Sequence, residues 1–173
     1  MKPKYLIAYF SRRGNNYVNG KIMNLPIGNT KIIAKIIQEN TEGDLFHIDT
    51  VKSYPEDYHE TTDVAKKELN SNARPELANS VSDMDSYDVV FLGYPNWWGT
   101  MPMAVFTFLG SYDFSGKTII PFCTHEGSGL GHSVEDIRRF CPKAEVENPI
   151  AFYGRSVNSA HDDIEEWIRN CIK

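Results

Sequence analysis

Asp88–Gly99, DVVFLGYPNWWG, decides how the chain is read. A short apolar run, Val89-Val90-Phe91-Leu92, stops at Gly93-Tyr94-Pro95, and two adjacent tryptophans follow in a segment that must be a loop. The run has the length of a strand buried on both faces, and glycine and proline punctuate its end. A loop cannot bury both rings of a consecutive tryptophan pair in one core. Trp97 and Trp98 therefore either plug the rim of the core or meet something flat and apolar at the carboxyl end of a buried strand.

Working outward, the same rhythm recurs. Tyr5–Phe10 is an apolar run of strand length. Thr30–Gln38 places Ile32, Ile33, Ile36 and Ile37 at i, i+1, i+4 and i+5, an apolar helical face. Asp44–Thr50 alternates as a second strand. Ser53-Tyr54-Pro55-Glu56 reads as a capping box opening a helix through about Leu69, and Asn70–Ser86 is a polar connection. Val89–Gly93 is the third strand, and Pro102 opens a helix through Leu109. Lys117–Cys123 is the fourth strand, and Ser133 lies near the start of another helix. Pro149–Tyr153 is the fifth strand, and Ser159–Ile172 closes the chain as a helix with Ser159 and Asp162 as its cap pair. Strands alternating with helices predict an α/β fold, a doubly wound parallel sheet of five strands within a single domain over residues 1–173. Ligands of such sheets bind outside the carboxyl ends of the strands.

Composition narrows the function classes. The chain has 173 residues, 41% of them hydrophobic, enough for an ordinary core. No apolar run approaches the roughly 20 residues that cross a bilayer, so no membrane role is expected. The basic-then-apolar start, MKPKYLIAYF, is too short in its apolar part for a signal peptide and reads as a first strand, so a cytoplasmic location is expected. Three widely spaced cysteines, Cys123, Cys141 and Cys171, indicate neither a disulfide framework nor a zinc site. A net charge of −5 argues against nucleic acid.

The candidate chemistry follows strands one, three and four. Two Gly-Asn triplets compete as a phosphate loop, Gly14-Asn15-Asn16 and Gly28-Asn29-Thr30. An anion needs consecutive backbone N–H groups at a helix start, and a helix follows only the second. Gly28, Asn29 and Thr30 are therefore expected to hold phosphate, with Ser11 adding a hydroxyl from the strand end. Residues 12–27 become an inserted loop beside the site. Gly14–Lys21 superficially matches a nucleotide-binding Gly-rich loop, but its glycines are spaced wrongly and Ile22 stands where Ser or Thr is needed. After the fourth strand, Thr124-His125-Glu126-Gly127-Ser128-Gly129 carries glycines that let backbone approach a ligand. His132 lies too far from His125 for a HExxH zinc site. Cys123 ends an apolar strand and reads as packed rather than nucleophilic.

These residues carry a resemblance. AYFSRRGNN (8–16) with GNTKIIAKII (28–37), FLGYPNWWGTMPMAVFTFL (91–109) and IIPFCTHEGSGLG (119–131) resemble the flavodoxin family, in its short-chain branch, in order and over nearly the whole chain. The resemblance implies a flavodoxin-like fold and FMN as cofactor. It places phosphate on Ser11, Gly28, Asn29 and Thr30. It places the isoalloxazine edge and one face against Pro95, Asn96, Trp97, Trp98 and Gly99. Thr124, His125, Gly127 and Gly129 would contact the ring or ribityl chain. One tryptophan would stack on the ring while the other packs behind it. No covalent catalyst stands out. Two roles stay open: a carrier of electrons between protein partners, and an FMN-dependent oxidoreductase passing electrons from NAD(P)H to quinone, nitro or azo acceptors. The protein is expected to be a monomer or homodimer.

Overall fold

A computed structural model describes residues 1–173. Its central sheet holds β1 (Tyr5–Tyr9), β4 (Asp44–His47), β5 (Val89–Pro95), β6 (Thr118–His125) and two short pieces, β7 (Glu145–Val146) and β8 (Ile150–Tyr153). Every pairing is parallel, in the order β4-β1-β5-β6, with β7 and then β8 sharing the far edge of β6. The fifth position of the sheet is thus filled in two segments. β7 pairs with Thr118–Ile119, and β8 pairs with Phe122–His125.

Alternation along each strand divides the core in two. Leu6, Ala8, Phe10, Val90, Leu92, Tyr94, Ile119 and Cys123 face α3 (Met103–Gly110) and α4 (Ser133–Phe140). Tyr5, Ile7, Tyr9, Phe91, Ile120 and Phe122 face α1 (Asn29–Thr41) and α5 (His161–Cys171), where Ile33, Ile37, Ile164 and Trp167 meet them. Strands buried on both faces read as continuous apolar runs, which is why VVFL and TIIPFC stood out in the sequence. Each large side chain sealed here contributes about 1.5–3 kcal/mol. The sheet is doubly wound and flavodoxin-like, and no helix is long and apolar enough to cross a membrane.

Three local expectations are corrected. Residues 12–27 are an antiparallel hairpin, not an open loop: β2 (Gly14–Val18) pairs with β3 (Lys21–Leu25). Its turn is Asn19-Gly20, both at positive φ (50° and 80°), the geometry of a two-residue primed turn. Ser53–Glu56 does not cap a helix. α2 runs Tyr58–Asn70, and Asp57 is its cap, accepting from the Glu60 amide at 2.9 Å. The Pro55 and Glu56 carbonyls instead accept from the Arg12 guanidinium at 2.9 and 2.7 Å, which ties that segment to the loop after β1. At the last helix, Ser159 ends a 3-10 turn over Gly154–Ser159 and its hydroxyl donates back to Ser156. α5 therefore starts at His161 without a side-chain cap.

One buried bond joins the end of β5 to the start of α4. The Tyr94 hydroxyl, fully buried, bonds the Ser133 hydroxyl at 2.8 Å, and Ser133 donates to the Leu130 carbonyl at 2.6 Å. Burial holds the Tyr94 phenol well above its ordinary range, so it stays neutral. Tyr94→Phe should lower unfolding free energy by about 1–2 kcal/mol in urea titration, with an unchanged m-value.

Candidate functional site

Because all the strands of the central sheet run parallel, the loops after β1, β5 and β6 emerge at one edge of it. The structure brings the three predicted segments together there. Thr30 and Thr124, both buried, share a 2.8 Å hydroxyl bond that pins the start of α1 to the end of β6. The Asn96 amide donates to the Thr124 carbonyl at 2.8 Å, its side-chain Nδ2 donates to the Gly129 carbonyl at 2.9 Å, and its Oδ1 accepts from the Gly99 amide at 3.0 Å. The His132 amide donates to the Gly99 carbonyl at 2.8 Å. At Gly131 a side chain is excluded, since a Cβ would stand 2.1 Å from that same carbonyl oxygen.

The start of α1 forms an anion cradle. Its N-cap, Gly28, supplies no side-chain bond, and the Asn29 and Thr30 amides have no partner. The Lys31 amide donates to Ser11 Oγ at 3.2 Å, leaving the hydroxyl proton of Ser11 available. Gly28 must be glycine, because a Cβ would lie 2.2 Å from Ser11 Oγ. Unpartnered N–H groups at the positive end of a 13-residue helix favour a negatively charged group. A groove of about 910 Å³ runs along the cradle, walled in part by Ser11, Gly28 and Lys31 and by Asn15 and Asn24 of the hairpin.

The two tryptophans divide. Trp97 is half-buried with its ring edge-on to Phe10 (5.1 Å) and Tyr54 (5.2 Å), packed behind the loop. Trp98 is 48% exposed. Trp97 and Thr100 exchange backbone hydrogen bonds, so Trp98 and Gly99 form the turn between them, both at positive φ (54° and 87°). A bulky residue in this left-handed region costs on the order of 1 kcal/mol. Offsetting contacts come from α2: Trp98 Nε1–H donates to the Thr62 carbonyl at 3.0 Å, and the Lys66 ammonium sits 4.7 Å above the indole.

Between this turn and α2 lies a cavity of about 440 Å³, walled by Asn96, Trp97, Trp98, Gly99 and Ser128 on one side and by Tyr58, Thr61, Thr62 and Ala65 on the other. Arg12 lines both cavity and groove, so the two meet at its side chain. Its guanidinium donates to the carbonyls of Asn15, Pro55 and Glu56. Sequence reasoning missed the α2 wall, which has no local signature; the sequence left open which of Arg12, Arg13 and Tyr17 reaches the site, and Arg12 lines the cavity. Of the predicted residues, Pro95 ends β5 beside Thr124, Gly127 and Gly129 both adopt positive φ, and Cys123 is buried with its thiol pushed up to about 12 by burial, which removes a nucleophile reading.

His125 organises the glycine loop. Its Nδ1 accepts from the Gly127 amide at 2.8 Å, which requires a neutral ring at that nitrogen, and the ring lies 4.5 Å from Tyr153. Burial lowers its pKa, Glu126 opposes this, and Arg155 adds to it. The unfolded chain therefore binds the proton more readily than the native one. Stability contributed here is full above the ordinary histidine value of about 6.5 and is lost as pH falls below it. Melting temperatures measured from pH 7.5 to 5 should fall more steeply for the parent protein than for His125→Gln.

Known structures share this fold. No curated protein matches the chain. A chain from Bacteroides uniformis ATCC 8492, described as a flavoprotein, is 26% identical with a TM-score of 0.76, the match covering 98% of this chain and 99% of that one. A similarly described chain from Bacteroides eggerthii DSM 20697 is 26% identical with a TM-score of 0.72, covering 94% and 98%. The flavoprotein of Lactobacillus acidophilus NCFM, crystallised in complex with FMN, shares the fold at 21% identity and a TM-score of 0.66, covering 93% and 97%. The model of the family described as Flavodoxin matches residues 4–171, nearly the whole length, and the chain belongs to the flavodoxin family.

Proposed function

We propose that this protein binds FMN and carries electrons between redox partners. The residues present fit the cofactor. The cradle at Ser11, Gly28, Asn29 and Thr30 offers unpartnered N–H groups and a hydroxyl to a phosphate. The cavity beside Trp98 is large enough for a tricyclic ring. Gly127 and Gly129 have nothing within 4 Å of where their side chains would stand, leaving room for a ring edge. When bound, the flavin supplies one- and two-electron chemistry, while the protein supplies orientation and electrostatics.

The observation that carries the choice of role is the wall of the ring cavity. Its two titratable side chains are Arg12 and Tyr58. The guanidinium is held by three carbonyls, and burial raises the pKa of the Tyr58 phenol, with Tyr17 adding to the shift and Arg12 opposing it. Neither group is suited to exchange protons with a substrate near neutral pH. Electron transfer needs no such group. It needs the ring edge near the surface, and half-exposed Trp98 puts the cavity mouth there. The net charge of −5 suits a basic partner protein.

One observation favours the other role, an FMN-dependent oxidoreductase using NAD(P)H on quinone, nitro or azo compounds. The groove adjoining the cradle carries Arg13, Lys31 and His47, and has room for part of a dinucleotide. Kinetics separates the two. The purified protein should show flavin absorbance, and it should oxidise NAD(P)H with a quinone acceptor only when a separate reductase is added. Turnover without that reductase overturns the carrier role.

The tryptophans should respond differently to truncation. Trp98→Ala should weaken FMN binding about tenfold, as read by fluorescence quenching, with little change in folding, since one stacked indole is worth on the order of 0.5–1.5 kcal/mol beyond its burial. Trp97→Ala should cost about 2–3 kcal/mol of folding stability, read by chemical denaturation, through its lost packing on Phe10 and Tyr54.

A further inference from the structure

The hairpin Gly14–Leu25 is tied down at both ends. Near its base, Asn15 Oδ1 accepts from the Tyr58 amide at 2.9 Å, and further along, close to the turn, Tyr17 stacks on Tyr58 with ring centroids 6.0 Å apart. Tyr58 begins α2 and lines the ring cavity opposite Trp98. At its tip, the Asn19 amide donates to Glu126 Oε2 at 3.1 Å, and Arg155 Nη1 donates to Asn19 Oδ1 at 3.2 Å. Glu126 and Arg155 follow β6 and β8. The hairpin therefore spans from α2 to the loops that follow β6 and β8, above the carboxyl edge of the sheet.

Glu126 is the centre of the tip contact. Its Oε1 accepts from the Arg155 amide at 2.8 Å, at the start of the 3-10 turn, while Oε2 holds the hairpin. The same carboxylate stands next to the cradle. A Cβ on Gly154 would be 2.9 Å from Glu126 Oε1 and 2.5 Å from the side-chain nitrogen of Asn29. A charged acceptor receiving two backbone N–H groups makes stronger bonds than a neutral one. None of these contacts is needed to close the sheet or its two cores.

We infer that the hairpin is a retaining strap over the phosphate end of the cofactor, and that Glu126 is its clasp, a positioning residue that sets how fast FMN leaves. This rests on the FMN reading above. Releasing the clasp frees the hairpin tip, so it speeds both entry and exit of FMN.

The test is stopped-flow fluorescence of FMN release from, and uptake by, the FMN-loaded protein, with hydrogen exchange of the hairpin amides. Glu126→Ala should release FMN at least tenfold faster than the parent protein, and Glu126→Gln, which keeps one acceptor, should fall between them. Arg155→Ala removes the side-chain contact to Asn19 and the guanidinium's place over the Tyr153 ring, and leaves the Glu126 carboxylate and its backbone bonds in place. It should accelerate release several-fold even if Glu126→Ala does not fold. In each variant the Asn19 amide should exchange faster. Faster hairpin exchange with FMN release within twofold of the parent overturns the strap alone. A parent protein that takes up no FMN overturns the cofactor reading, and the strap with it.

Discussion

Asn96 is the residue on which the geometry of the site rests. Its backbone amide and both polar atoms of its side chain are satisfied by three different segments: the end of β6, the glycine loop at Gly129, and its own turn at Gly99. Two loops that leave neighbouring parallel strands have no ladder to keep them in register beyond the sheet edge. A short amide side chain that accepts from one and donates to the other restores that register. Loss of any one of these bonds leaves a half-buried polar atom unsatisfied, at about 1–3 kcal/mol, so the three are held together more firmly than their separate strengths imply.

From that junction the division of the tryptophans follows. The turn Trp97–Thr100 must reverse within two residues to bring the Gly99 carbonyl under the His132 amide, which forces positive φ at Trp98. In that conformation consecutive side chains point apart. Trp97 is directed inward onto Phe10 and Tyr54, and Trp98 outward onto α2. Backbone strain at Trp98 is thus tied to the presentation of an indole face at the cavity mouth, in keeping with the way strained residues gather at working sites.

The parts of this arrangement that were legible in the sequence share a physical cause. Both-face burial wrote β1, β5 and β6 as apolar runs, and the helix after Gly28-Asn29-Thr30 identified which triplet has free amides. What was illegible depends on partners distant in the chain. Ser53–Glu56 has a local capping pattern, yet Arg12 captures two carbonyls of that segment and moves the helix start to Asp57. The α2 wall of the cavity, the Glu126 clasp and the assignment of the two tryptophans are likewise set by tertiary contacts. The hairpin is the exception. Asn19-Gly20 is a strong local turn signal, but the strands around it are too polar and short to show alternation.

The hairpin also explains how the phosphate cradle tolerates an insertion through its middle. Ser11 and Gly28 must lie close, since a Cβ on Gly28 would strike Ser11 Oγ, yet residues 12–27 separate them. A flexible segment of that length would hold its ends together only at an entropic cost that grows with its length. Pairing removes most of that cost, because Gly14 opposes Leu25 in the ladder and the turn at Asn19-Gly20 requires no additional strain. The Arg12 guanidinium completes the closure by joining the Asn15 carbonyl at the hairpin base to the β4–α2 connection. The insertion therefore arrives already folded back on itself, with its two ends at the cradle and its tip free to reach the far side of the site.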